Sequence, residues 1–311
     1  MAKVLVAGGT GFIGSYLCGE LVERGHDVTA VSRSAHGADV PDDVLTKTGD
    51  VTDFDSIEDI VFGQDVVVNL VALSPLFKPS GGDVMHDRVH RGGTENLLRA
   101  AEETGVDKFV QLSALGADPD GDTAYIRSKG EAEALVHDSK IPGVIFRPSV
   151  VFGDGGEFVP FTKKLKGMFA PAVPLYPLPG GGKTRFQPIW VEDLVSMLAD
   201  GIEDDRHLGE TYEIGGPEVL TLREVTKKVY DAEDRSVGIV PLPMGLAKIG
   251  LSVLGAVGGP MGQDQYRSLK FDNTTSHNDV GSFGVSESDL KTLDEYLGLS
   301  PVGGRGEPAT A

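Results

Sequence analysis

The sequence predicts an α/β protein: a doubly wound parallel sheet followed by a smaller, mixed C-terminal lobe. Three observations carry that prediction. Short apolar runs alternate with amphipathic stretches of helical period through the first half of the chain. The first apolar run leads straight into a glycine-rich turn, Gly8-Gly9-Thr10-Gly11-Phe12-Ile13-Gly14. After Arg147-Pro148 the texture becomes rich in Gly and Pro, with Gly180-Gly181-Gly182 and four prolines between 171 and 179.

Apolar strands are expected at 3–7, 27–32, 65–71, 108–112 and 143–147, with a weaker one at 45–48 before Gly49-Asp50. Helical patterns run between them at 12–24, 54–62, 92–104 and 124–138. Strands separated by helices imply a parallel sheet with right-handed crossovers. Residues 153–186 read as a long irregular segment over the carboxyl edge of the sheet, a usual place for substrate contacts. Trp190-Val191-Glu192-Asp193 then leads a helix, and Thr211–Ile214 reads as a strand. Thr221 reads as an N-cap, with Glu224 completing a capping box.

The chemistry of the glycine turn follows from its residue types. Glycines let the backbone turn tightly and approach a ligand with no Cβ in the way. The helix beginning there offers unpaired N–H groups and a positive dipole end to a pyrophosphate. The strand Asp27–Val31 returns where a βαβ unit requires it, so context supports a Rossmann-like dinucleotide site rather than a bare tight turn. Gly8, Thr10, Gly11, Phe12, Ile13 and Gly14 are the candidate contacts. The expected organisation is an NAD(P)-binding domain over 1–150 with returns from about 186–216, an interleaved substrate or partner lobe over 151–299, and a flexible tail over 300–311.

Composition narrows the partners. Against 28 basic residues stand 47 acidic ones, a net charge of −19 that repels phosphate backbones and argues against nucleic acid. Such an acidic, lysine-poor surface suits a cytoplasm of very high salt, as in halophiles. Cys18 is the only cysteine, so no internal disulfide forms, and it is expected to pack as a small apolar residue. With the first strand starting at residue 3, no signal peptide is expected, and no apolar run reaches the length of a spanning helix. A cytoplasmic protein, either free or peripheral to a membrane, is therefore expected.

The end of the second strand reads the adenosine ribose, about twenty residues past the glycines. An acidic residue there would repel a 2′-phosphate, but this chain has Ser32-Arg33-Ser34. Arg33 can stack on adenine or bind a 2′-phosphate through its planar fork, or it is an ordinary surface arginine. NADP(H) is preferred on this ground, with NAD(H) the open alternative. Asp50 and Val51, after the short third strand, stand where the short-chain dehydrogenase/reductases that these motifs resemble contact the adenine, and a solvated loop aspartate is the alternative.

Tyr125-Ile126-Arg127-Ser128-Lys129 is the second motif. Residues four apart share a helix face, so the ammonium can sit near the phenol, lower its pKa and also hydrogen-bond the nicotinamide ribose. Tyr266 and Lys270 share the spacing, but only Tyr125 follows a strand, Phe109–Leu112, by one loop. Ser113 and Ala114 follow that strand; in the short-chain dehydrogenase/reductases that these motifs resemble, a Ser or Thr there orients a substrate oxygen, which makes Ser113 the candidate although the matching position falls on Ala114. His86 and His90 are also four apart, with no third ligand type beside them, so surface or packing roles are expected and no metal.

Together these residues resemble the atypical and extended short-chain dehydrogenase/reductases of the NAD(P)-dependent epimerase/dehydratase superfamily. Gly93-Thr94-Glu95-Asn96, Arg147-Pro148-Ser149 and Val191-Glu192-Asp193 extend the match. The stretch Gly262–Tyr266 through Phe271-Asp272-Asn273 looks like the branch containing the NADPH-binding accessory subunit of respiratory complex I. The resemblance implies one of two functions. The first is an oxidoreductase acting on a carbonyl/hydroxyl pair of a small organic substrate, with Tyr125 and Lys129 catalytic. The second is a non-catalytic accessory or assembly protein of a respiratory or membrane-associated complex. The apolar stretch 244–257 reads as a helix packed on the second lobe or as a contact surface.

Overall fold

A computed structural model describes residues 1–34, 39–169, 175–246, 261 and 263–299 of the 311-residue chain. Seven parallel strands form the central sheet. Six of them are β1 (Lys3–Ala7), β2 (Asp27–Ser32), β3 (Leu45–Thr48), β4 (Val66–Asn69), β5 (Lys108–Leu112) and β6 (Gly143–Pro148). The seventh is Thr211–Ile214, and the spatial order is Thr211–Ile214, β6, β5, β4, β1, β2, β3.

Side-chain alternation buries the inner strands on both faces, whereas the edge strand β3 is mostly exposed. Val4, Val6, Val68, Val110 and Phe146 pack on one side, against Leu17 and Leu21 of helix α1 (Phe12–Glu23) and Leu194 and Leu198 of the helix Val191–Glu203. Leu5, Ala7, Val67, Phe109 and Ile145 pack on the other, against Leu97 and Ala101 of the helix Gly93–Thr104. Cys18 is fully buried on α1, and burial pushes its thiol up to about 12, which suits an inert small apolar residue.

A separate core joins later parts of the chain, including Phe161, Leu165, Tyr176, Leu178, Val225 and Val229. Here the structure corrects the sequence reading. Part of the supposedly irregular segment is a helix, Phe158–Phe169, and a strand, Leu175–Pro179, which pairs in parallel with Gly238–Leu242. The flanking glycines and prolines hid a helical face made by Phe158, Phe161 and Leu165.

Two other elements differ in detail. The stretch 54–62 splits into a tight turn, Phe54–Ser56, and a short helix, Glu58–Val61. Ser56 Oγ is committed to the Asp50 loop, accepting from Asp50 N at 2.9 Å, which favours a turn over a helix. The helix expected to start near 92 is preceded by a single turn, Val84–His86, and a π-type turn, Asp87–Gly92. Of the apolar stretch 244–257 only residues 244–246 are described, and the tail 300–311 lies outside the described residues. The capping box of Thr221 and Glu224 forms as expected at the helix Leu222–Asp231.

The late motif pins the two regions together. Asp264 Oδ2 accepts from the amide of Ala124 at 2.8 Å, and Thr123 Oγ1 accepts from Ile126 N at 3.2 Å. Both therefore cap the helix Ala124–Asp138, which carries Tyr125 and Lys129. Asn273 Oδ1 accepts from Ser149 Oγ and from Val150 N, at 2.8 and 2.9 Å.

Candidate functional site

All seven strands point their carboxyl ends to one edge. The connection order reverses beside β1, with β2 and β3 to one side and β4, β5 and β6 to the other. Ligands of such sheets bind in that crevice. The glycine turn occupies it. Gly8 has φ +82°, donates its amide to Val31 O at 2.8 Å, and would bring a Cβ within 3.3 Å of the Leu70 and Val71 backbones. Gly11 N-caps α1 without a side-chain hydrogen bond, and no acidic residue stands in the first turn. Open first-turn amides and an uncompensated dipole end fit a pyrophosphate.

A cleft of about 1180 Å³ runs from this turn across the sheet edge to the second core. Every predicted site residue lines it: the glycine-turn residues, Arg33, Asp50 and Val51 toward β2 and β3, and Ser113, Tyr125 and Lys129 beyond β5. Asp50 Oδ1 accepts from both the amide and the hydroxyl of Thr52 at 2.9 Å. Val51 O accepts from Asn96 Nδ2 at 2.9 Å, and a Cβ on Gly93 would come within 2.8 Å of the Val51 side chain. The Gly93–Asn96 motif thus supports the floor of the cleft.

Sequence reasoning missed Arg88, which lines the cleft near Thr52, its Nη2 3.5 Å from Thr52 Oγ1. It sits on a helical turn where a loop was expected, and a lone arginine there carries no motif.

Tyr125 is half-buried, with His86 and His90 edge-on to its ring at centroid distances of 5.6 and 5.3 Å. Both histidines are buried packing residues. His90 Nε2 accepts from Leu73 N at 3.0 Å, so its proton sits on Nδ1, which donates to Ser128 Oγ at 2.9 Å. Burial lowers His90 to about 2, holding it neutral, and it ties the loop after β4 to the tyrosine helix. Among the described residues no group of three or more histidine, cysteine or carboxylate side chains is placed to hold a metal.

The expected lowering of the tyrosine pKa by Lys129 is not found. Burial pushes the Tyr125 phenol up instead. Lys129 is buried, with Nζ donating to Leu112 O at 2.8 Å. A raised phenol stays protonated at neutral pH and is suited to donate a proton rather than to accept one. Ser113 Oγ is buried with no hydrogen-bond partner among the described residues, in the wall shared with Tyr125, and Ala114 lines the same wall.

Burial lowers the Lys129 ammonium to about 8, partly opposed by Glu133. The unfolded value is about 10.4, so between these values the unfolded chain binds more protons and this group's contribution to stability grows with pH. In the nucleotide-free protein, Lys129→Met is expected to remove a rise of about 3 kcal/mol across that window, read by urea unfolding at a series of pH values. Parallel pH profiles for variant and wild type would contradict it.

The family model that describes the NAD dependent epimerase/dehydratase family matches residues 4–215, from β1 through the seventh strand. The chain belongs to that family. Its members are NAD(P)-dependent, and the glycine turn lies inside the matched span, as do the residues lining the cleft except Ser268, Phe271, Asp272 and Asn273. Among curated members, this epimerase/dehydratase-family chain is 30% identical over 252 residues to NADH dehydrogenase [ubiquinone] 1 alpha subcomplex subunit 9 of Arabidopsis thaliana, covering 78% of this chain and 61% of that protein. It is 29% identical to the Arabidopsis thaliana divinyl chlorophyllide a 8-vinyl-reductase, covering 82% and 63%. The chain thus spans about three fifths of the length of the curated relatives it matches. The Thermus thermophilus UDP-glucose 4-epimerase, solved in complex with NAD, superimposes with a TM-score of 0.64 at 26% identity, covering 78% of this chain and 86% of that one. Among the described residues no helix is long and apolar enough to cross a membrane.

Proposed function

We propose that this protein is an NADP(H)-binding oxidoreductase acting on a carbonyl/hydroxyl pair of a small organic substrate. The observation that carries the cofactor choice is a pair of guanidiniums. Arg33 and Arg88 both line the cleft toward β2 and β3, and neither makes an ion pair among the described residues. Two uncompensated cations at one end of a cleft, on a chain of net charge −19, favour an added phosphate. Residues 1–150, with the return at 186–216, would hold the nucleotide, and 151–299 would shape the substrate or partner end.

When bound, the nicotinamide would supply the hydride. The Phe12 and Ile13 amides at the start of α1 would hold the pyrophosphate, with Gly11 allowing its close approach, and Asp50 and Val51 would hold the adenine. Tyr125 would hydrogen-bond the substrate oxygen and give it a proton, Lys129 would meet the nicotinamide ribose, and Ser113 would orient the substrate.

Arg33→Asp is expected to weaken NADPH binding by about 1–3 kcal/mol, the scale of a lost charge-assisted hydrogen bond, and to affect NADH less. Nucleotide-fluorescence titrations check this; equal losses for both nucleotides would remove Arg33 from 2′-phosphate recognition.

A second reading is favoured by the likeness to the NADH dehydrogenase subunit and by alanine at position 114. In it, bound NADPH stabilises a fold that docks at the membrane periphery on a respiratory complex. Recovery of respiratory-chain subunits by affinity capture at native salt, together with no NADPH oxidation across a carbonyl panel, would favour it over the enzyme.

A further inference from the structure

We propose that the substrate end of the cleft takes an uncharged, largely apolar carbonyl compound and rejects sugar nucleotides. This rests on the oxidoreductase reading above and names the substrate class for the same site. The cations lining the cleft among the described residues are Arg33, Arg88 and Lys129. The first two lie toward β2 and β3, and Lys129 Nζ is buried against Leu112 O. None remains for a second diphosphate beyond the nucleotide's own.

What lines the far end is apolar: Pro75, Leu76, Met85, Phe158, Phe186 and Phe271. Its charged residues are acidic. Asp118, Asp122 and Glu157 are exposed along the cleft and make no ion pair among the described residues, while Asp272 is neutralised by Arg185 at 2.7 Å. A diphosphate placed there would lose hydration, gain no partner and face like charge.

The polar side chains of this end are mostly engaged within the protein. Ser149 Oγ donates to Asn273, Ser268 Oγ donates to Asp264 O, and Thr123 Oγ1 caps the tyrosine helix. Ser74 Oγ accepts from Leu76 N. Among the described residues, Ser113 Oγ is the buried hydroxyl left without a partner, in the wall it shares with Tyr125. Apolar walls around one small polar focus match a neutral molecule with one carbonyl oxygen.

The test is a titration of the NADPH-loaded protein with straight-chain methyl ketones, from hexanone to decanone, and with UDP-glucose. Dissociation constants are expected to fall about fourfold per added methylene, and UDP-glucose at about 1 mM is expected neither to bind nor to displace decanone. Phe271→Lys, at a half-exposed position, is expected to weaken decanone at least about fivefold with NADPH affinity unchanged. A flat ketone series, no saturable ketone binding, UDP-glucose binding tighter than decanone, or an unaltered decanone constant in Phe271→Lys would each overturn the proposal. NADPH is titrated separately, and its failure to bind would defeat the cofactor reading instead. Ketone-induced shifts in unfolding temperature without nucleotide still read the apolar end in that case.

Discussion

Gly14→Ala is expected to destabilise the protein by about 3 kcal/mol and to weaken NADPH binding at least about tenfold. The reason is contact with backbone on every side. A Cβ at position 14 would lie 2.1 Å from Gly8 O, 2.7 Å from Gly9 Cα and 2.8 Å from Gly9 C. No rotamer change relieves a clash with main chain, so α1 must move off the turn and carry its first-turn amides with it. Gly19 lies on the same helix, and a Cβ there meets nothing nearer than Pro41 at 4.0 Å. Gly19→Ala should therefore be neutral or stabilise by about 0.5–1 kcal/mol, as for alanine replacing glycine within a helix. Urea unfolding and NADPH titration of both variants separate local helix propensity from the turn. Equal behaviour of the two would show that close packing at Gly14 is unimportant.

Tyr125→Phe is the variant with the largest expected effect on turnover. Loss of a positioned proton donor costs about 10²–10⁴-fold in rate, while the phenyl ring keeps its place against His86 and His90. NADPH affinity and unfolding free energy should stay near wild type. Stopped-flow loss of nicotinamide absorbance, with any carbonyl the wild type reduces, is the measurement. Unchanged turnover would remove Tyr125 from proton transfer. Because burial pushes the phenol up, reduction should keep its rate at mildly alkaline pH, where an acid of ordinary pKa would begin to lose its proton.

Much of the sheet was legible because its signal is local. β1, β2, β3 and β5 occupy the ranges their apolar runs predicted, and the glycine turn lies at the crevice its spacing implied. Tyr125, Lys129 and Ser113 likewise reach one cleft, as a helix following a strand by one loop predicts. What was not legible depends on distant partners or on local exceptions. The helix Phe158–Phe169 hid behind flanking glycines and prolines. Arg88 owes its position to irregular turns ahead of the helix Gly93–Thr104. The pKa of Tyr125 was misjudged because spacing gives proximity along a helix, whereas burial and the Leu112 carbonyl decide where the ammonium goes. His90 showed a spacing, but its neutral, single-tautomer role depends on Leu73 and Ser128, two groups from separate elements.

The Asp264 cap on Ala124 spans 140 residues of sequence. During synthesis the tyrosine helix therefore emerges long before the carboxylate that closes its first turn. Until the late segment leaves the ribosome, the Ala124 amide lacks its carboxylate partner, and Thr123 is the side chain left to cap the turn that carries Tyr125. A nascent sheet can gather around the glycine turn early, whereas the Tyr125 end of the cleft gains its carboxylate cap only once the late segment has been made.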